Sequence, residues 1–143
     1  MKTQQDTAIA PIALNKGEGE ARWFLGMLVT IKASHATTAG RVAVIEHLAP
    51  QGSGSPLHVH HREDEWFDVI DGALTFWVGG RTIEAPAWSF IHGPRDIPHT
   101  FLVTSPEARF LVGAEPAGFD GFLRAASEAA ALTLPPAGGA LPI

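Results

Sequence analysis

The chain has 143 residues, with 10 Lys and Arg against 15 Asp and Glu, a formal charge of −5 and 45% apolar residues. That length and apolar content suit one compact domain, and the acidic balance excludes a nucleic-acid surface, which needs clustered Lys and Arg. Because cysteine is absent, disulfides and thiolate metal sites are excluded as well, and any metal must be held by imidazole and carboxylate.

Residues 1–20 are polar and then mixed, and read as an N-terminal arm. Met1 to Leu14 carries one lysine and a weak apolar stretch broken by Pro11, a poor match to a signal peptide. No run approaches the roughly 18 apolar residues that span a bilayer. The expectation is a cytoplasmic protein with neither membrane nor nucleic acid as partner.

From residue 21 to 115, short apolar segments alternate with turn chemistry in the rhythm of an antiparallel sandwich or barrel, so an all-β fold is expected. Strands are predicted at Trp23–Lys32, Arg41–Leu48, Leu57–His61, Glu65–Ile70, Ala73–Val78, Arg81–Glu84, Trp88–His92, Pro98–Val103 and Arg109–Ala114. Pro50 to Pro56 must be a loop, and Asp71-Gly72 and Gly79-Gly80 read as hairpin turns. Within 116–131 the pattern changes. Phe119, Phe122, Leu123 and Ala126 recur at helical spacing, which predicts a short C-terminal α-helix over Gly118–Ala130 against the barrel. Residues 132–143, with Pro135-Pro136 and Gly138-Gly139, read as a flexible tail.

The chemistry concentrates on histidine. His58 and His60 are two apart on a predicted strand and so share a face, and imidazole is the commonest neutral ligand for first-row divalent metals. On an unbroken strand Glu65 would face the other way, but the polar Arg62-Glu63-Asp64 predicts a bend that resets the alternation. Glu65 then joins the two imidazoles, and His99 enters from a separate strand after Pro98. The competing reading is scattered surface histidines near an acidic turn. His61 should point outward, and His35 and His47 read as structural or exposed. Phe67, Phe76 and Phe101 are candidate pocket walls, with core packing as the competing role. His92 is a further pocket candidate, set against capping of a strand end.

The spacing Gly52-x5-His58-x-His60-x4-Glu65-x6-Gly72 resembles the first cupin motif, and Gly80, Pro86 and His99 resemble the second. Two positions depart from it: Trp88 stands where a turn glycine is usual, and Val103 replaces an Asn. Around Trp23–Gly26, His58–Phe67 and Pro116–Phe122 the chain is similar to small monocupins of the quercetin 2,3-dioxygenase-like kind. The resemblance implies a double-stranded β-helix, or jelly-roll barrel, holding a single divalent transition metal (Fe, Mn, Co, Ni, Cu or Zn) on His58, His60, Glu65 and His99. It also implies a homodimer paired through sheet edges and arms. The expected function is a metal-dependent dioxygenase acting on a flavonol-like or other enol or phenol, with O2 as co-substrate and Glu65 as both ligand and general base. A metal-dependent isomerase or lyase, or a non-catalytic small-molecule-binding cupin, are the alternatives.

Overall fold

A computed structural model describes residues 9–129; the first part of the arm, the end of the predicted helix and the tail lie outside them. Residues 9–19 are exposed throughout, and the first strand, β1 (Glu20–Phe24), begins directly after them. The strands that follow are β2 (Met27–Ala33), β3 (Ala43–Pro50), β4 (Asp64–Asp71), β5 (Ala73–Val78), β6 (Arg81–Pro86), β7 (Phe90–Gly93), β8 (His99–Val103) and β9 (Glu107–Glu115). The helix α1 (Phe119–Ala126) and a two-residue strand β10 (Glu128–Ala129) are the last elements of the described residues. Two antiparallel sheets result, in the orders β10-β1-β2-β3-β9-β4-β7 and β6-β5-β8.

Alternation sets the inside of the barrel. On β3 the buried positions are Ala43, Ile45, His47 and Ala49; on β4, Glu65, Phe67 and Val69; on β8, His99, Phe101 and Val103. Phe67, Phe76, Phe101 and Phe110 meet ring to ring between the sheets, with centroids 4.9 to 6.3 Å apart. Glu65 and His99 therefore project from the inward phase of two strands into an interior that, His47 apart, these strands line with apolar side chains.

Four expectations need correction. The apolar run Trp23–Lys32 is two strands, because Leu25 (φ 52) and Gly26 (φ 76) form a two-residue turn of the type I′ class, whose twist suits a hairpin. Asp71-Gly72 is a corner between sheets and not a hairpin: β4 pairs with β7 and β9, whereas β5 pairs with β6 and β8. Gly72 (φ 82) sits where a Cβ would collide with Glu107 O and Ser105 Oγ, so both torsion and space demand glycine. Leu57–His61 is an irregular segment held beside β8 by the reciprocal bonds His58 N to His99 O (3.1 Å) and His99 N to His58 O (2.9 Å). Finally, α1 stops at Ala126. Ser127 turns extended and Glu128–Ala129 pairs with Arg22 and Trp23 of β1.

Trp88 shows why its position favours glycine. It has φ 73 in the turn between β6 and β7 and is 84% exposed, so its side chain returns little packing for the left-handed backbone. Trp88→Gly is expected to stabilise the protein by about 1 kcal/mol in urea unfolding. Destabilisation instead would mean that the indole packs on something that compensates the torsion.

Candidate metal centre

Two candidate ligands come from regular strands and two from the irregular segment that crosses the barrel mouth. Glu65 (4% exposed) and His99 (1% exposed) lie deep, while His58 and His60 are half-buried above them. One potential ligand atom from each of the four residues lies within 4.8 Å of all the others. Donors about 2.1 Å from a common ion stand at most roughly 4.2 Å apart, so the widest pair must close by at least about half an ångström to share one metal.

Hydrogen bonding on the outer side of the rings orients the inner side. His58 Nδ1 lies 2.7 Å from Pro56 O and His99 Nδ1 lies 3.2 Å from Ile97 O. A carbonyl only accepts, so both Nδ1 atoms carry hydrogen, and His58 turns a bare Nε2 inward, the form that binds metals; His99 Nε2 faces the Glu65 carboxylate, which also only accepts, and so donates to it where no ion takes the place of that proton. His60 Nδ1 faces Glu63 Oε2 at 3.6 Å. Within the cluster, Glu65 Oε2 stands 2.7 Å from His99 Nε2 and 3.2 Å from His60 Nε2. His60 Nε2 is buried and not aligned for a hydrogen bond with any partner.

These observations fit a cation. Three imidazole nitrogens and an anionic oxygen converge in a space where an uncompensated charge is costly. Burial penalises the Glu65 charge, yet the imidazoles of His60 and His99 bring its carboxyl down to about 2. The same carboxylate raises the pKa of His60, while burial lowers that of His58.

A cavity of about 390 Å³ opens above the cluster. The β1–β2 hairpin supplies Phe24 and Leu25, the segment before β4 supplies Ser55, Pro56, His58, His60 and Glu63, and the start of α1 supplies Gly118, Phe119 and Phe122. Phe119 meets His60 edge-on at 6.3 Å, and Phe122 packs on Phe24 at 6.0 Å, so helix and hairpin together frame the mouth. Asp120 fastens the helix from beneath, accepting from the His35 backbone N–H (3.1 Å) and from Arg124 (3.0 Å). A smaller cavity of about 40 Å³ continues inward behind His58, where Glu65, Phe67, Phe101 and His47 line it. Among the described residues, neither cavity is lined by Lys or Arg.

The pocket candidates divide. Phe67 and Phe101 line the inner cavity, but Phe76 is wholly buried in the core between the sheets and lines neither space. His92 is exposed on β7 opposite Trp66, on the outer face, and is likewise outside both cavities. His61 points outward as expected and pairs with Asp96 at 2.8 Å. His47, read as structural or exposed, is buried and also borders the inner cavity. Its signal was present in the sequence: it takes the inward phase of the strand with Ala43, Ile45 and Ala49.

A two-sheet barrel with three imidazoles and a carboxylate converging at its mouth defines a barrel protein with a candidate mononuclear metal centre. Residues 44–112 match the Cupin_2 family model, a cupin domain, and the chain belongs to the cupin superfamily. It is 26% identical over 122 residues to quercetin 2,3-dioxygenase of Bacillus subtilis, an alignment that covers 85% of this chain but only 36% of that enzyme. Among solved structures, KdgF from Halomonas sp. superposes with a TM-score of 0.68 at 16% identity, covering 78% of this chain and 98% of that one. Bacillus subtilis oxalate decarboxylase, described with Mn(II) centres, superposes at 0.66 and 16% identity over 86% of this chain and 33% of its own. These likenesses to solved structures establish the jelly-roll fold. Among the described residues, no helix is long and apolar enough to cross a membrane.

Proposed function

We propose that the chain is a metal-dependent oxygenase that takes a neutral, electron-rich enol or phenol, flavonol-like in shape, and uses O2 as co-substrate. The observation that carries this reading is the character of the cavity over the cluster. Its walls are aromatic and its one acidic side chain, Glu63, would repel an anion, while no cationic side chain offers a small carboxylate a partner. That combination disfavours a dicarboxylate such as oxalate and suits a flat hydroxylated ring. The likeness to a quercetin dioxygenase points the same way.

A divalent ion bound by His58, His60, Glu65 and His99 supplies Lewis acidity and open coordination positions. The chain does the rest. Phe24, Phe119 and Phe122 hold the ring and exclude water, Glu63 and the backbone carbonyls keep the imidazoles in register, and Glu65 accepts the hydroxyl proton as the substrate becomes an oxyanion.

The test is oxygen uptake by metal-loaded protein with quercetin and simpler phenols, on wild type and Glu65→Gln at saturating metal. Wild-type turnover should depend on O2 concentration, and Glu65→Gln should lower it by about 100-fold or more. Undiminished turnover in the variant with metal bound would remove the base role. Turnover independent of O2 would indicate isomerase or lyase chemistry, and recovery of unchanged ligand a binding protein.

A further inference from the structure

His47 has no part in the metal set or in the mechanism above, yet it is a polar side chain in a strand phase otherwise filled by Ala43, Ile45 and Ala49. It is 4% exposed, stacks on Phe110 with centroids 4.9 Å apart, and borders the inner cavity together with His58 and Glu65. Burial in an apolar barrel keeps the ring neutral. Its Nδ1 faces Ile45 O at 3.4 Å, a group that only accepts, so Nδ1 carries the hydrogen and Nε2 keeps a lone pair. The cavity beside it, about 40 Å³, has room for a hydroxyl or one to two waters but not for a ring.

We infer that His47 is the inner polar anchor of the substrate site and that its Nε2 accepts the hydrogen of a neutral substrate hydroxyl reaching past the metal ligands into the inner cavity. An ether, carbonyl or carboxylate at that point would set lone pair against lone pair, and among the described residues no cationic side chain lines the cavity to receive an anion. His47 thereby selects for an O–H group at the buried end of the molecule. The inference rests on the reading of the cluster and its cavity as a substrate site.

The experiment uses the full chain loaded with Zn(II), which is diamagnetic, with resorcinol and its monomethyl ether 3-methoxyphenol as probes, so that each keeps one hydroxyl for the metal end and they differ only at the other. Long-range 1H–15N correlation of labelled histidine should show His47 neutral with hydrogen on Nδ1. Resorcinol should perturb its Nε2 resonance while the ether does not, and resorcinol should bind about tenfold more tightly. In His47→Phe, which keeps the stacking on Phe110 but removes the lone pair, the two affinities should fall within about twofold. A wild-type His47 protonated on Nε2 overturns the proposal, and that measurement decides even if the variant fails to fold. Resorcinol preference that survives in His47→Phe overturns the anchor but leaves the substrate site standing. A Zn-loaded wild type that binds neither probe overturns both.

Discussion

Purified without an affinity tag and equilibrated with a buffered mixture of Mn, Fe, Co, Ni, Cu and Zn, the wild-type protein should retain about one divalent ion per chain, and His58→Ala/His60→Ala less than about a tenth of that. The choice of this pair follows from burial. His58 and His60 sit half-exposed on an irregular segment whose attachment to β8 is through backbone bonds, so truncating the rings leaves the barrel intact. His99→Ala would strip the 2.7 Å partner from a buried Glu65 carboxylate, at a cost of about 3–5 kcal/mol, and would confuse lost affinity with lost fold. Elemental analysis reads the ion directly. Thermal unfolding reads it through linkage, since an ion present at about 100 times its dissociation constant adds roughly 2.7 kcal/mol to wild type and nothing to a protein that cannot bind it. A wild type that takes up no ion from the panel would sink the metal reading, and an unaffected double variant would place the ligands elsewhere.

What could be read from the sequence was decided by whether a residue's role depends on spacing or on position in three dimensions. Glu65 and His99 were legible because spacing and strand phase agree: each shares its inward face with apolar neighbours, Phe67 and Val69 in one case, Phe101 and Val103 in the other. Trp88 was legible as an anomaly, and its φ of 73 gives the reason. The pocket was harder, because alternation gives the face of a strand but not the depth along the barrel. Phe76 and Phe101 both point inward, yet one is wholly enclosed and the other borders a cavity. Element ends inside apolar or Ala-rich runs were misread for a related reason. Leu25 accepts a left-handed torsion inside an apolar run, and Ser127 ends a helix that the Ala-rich sequence would otherwise prolong. His47 was read only as structural or exposed, and its place in the Ala43-Ile45-His47-Ala49 phase puts it inside, beside the inner cavity.

That placement carries a second large effect: acidification of the metal-free protein from pH 6.5 to 4 should cost about 3 kcal/mol through His47 alone. Burial is the main cause, pushing its pKa from the usual 6.5 down to about 4 against weaker opposing contributions from the Ile45 carbonyl, Glu65 and Glu46. Above pH 6.5 the ring is neutral whether the chain is folded or not, and stability is unaffected. As pH falls below 6.5 the unfolded chain takes up a proton that the folded chain refuses, so stability declines by roughly 1.4 kcal/mol per pH unit. Near pH 4 the folded ring protonates too and this contribution levels off. Urea unfolding of wild type and His47→Phe at steps from pH 7 to 4 isolates it, because protonation of the metal-ligand histidines is common to both proteins and cancels in the difference. The variant, with a phenyl ring stacked on Phe110 and filling part of the inner cavity, should hold its stability across the window in which wild type declines. Parallel curves would mean that His47 reaches solvent through the inner cavity and keeps an ordinary pKa, and the enclosed, neutral imidazole on which the selection of a buried hydroxyl depends would be lost with it.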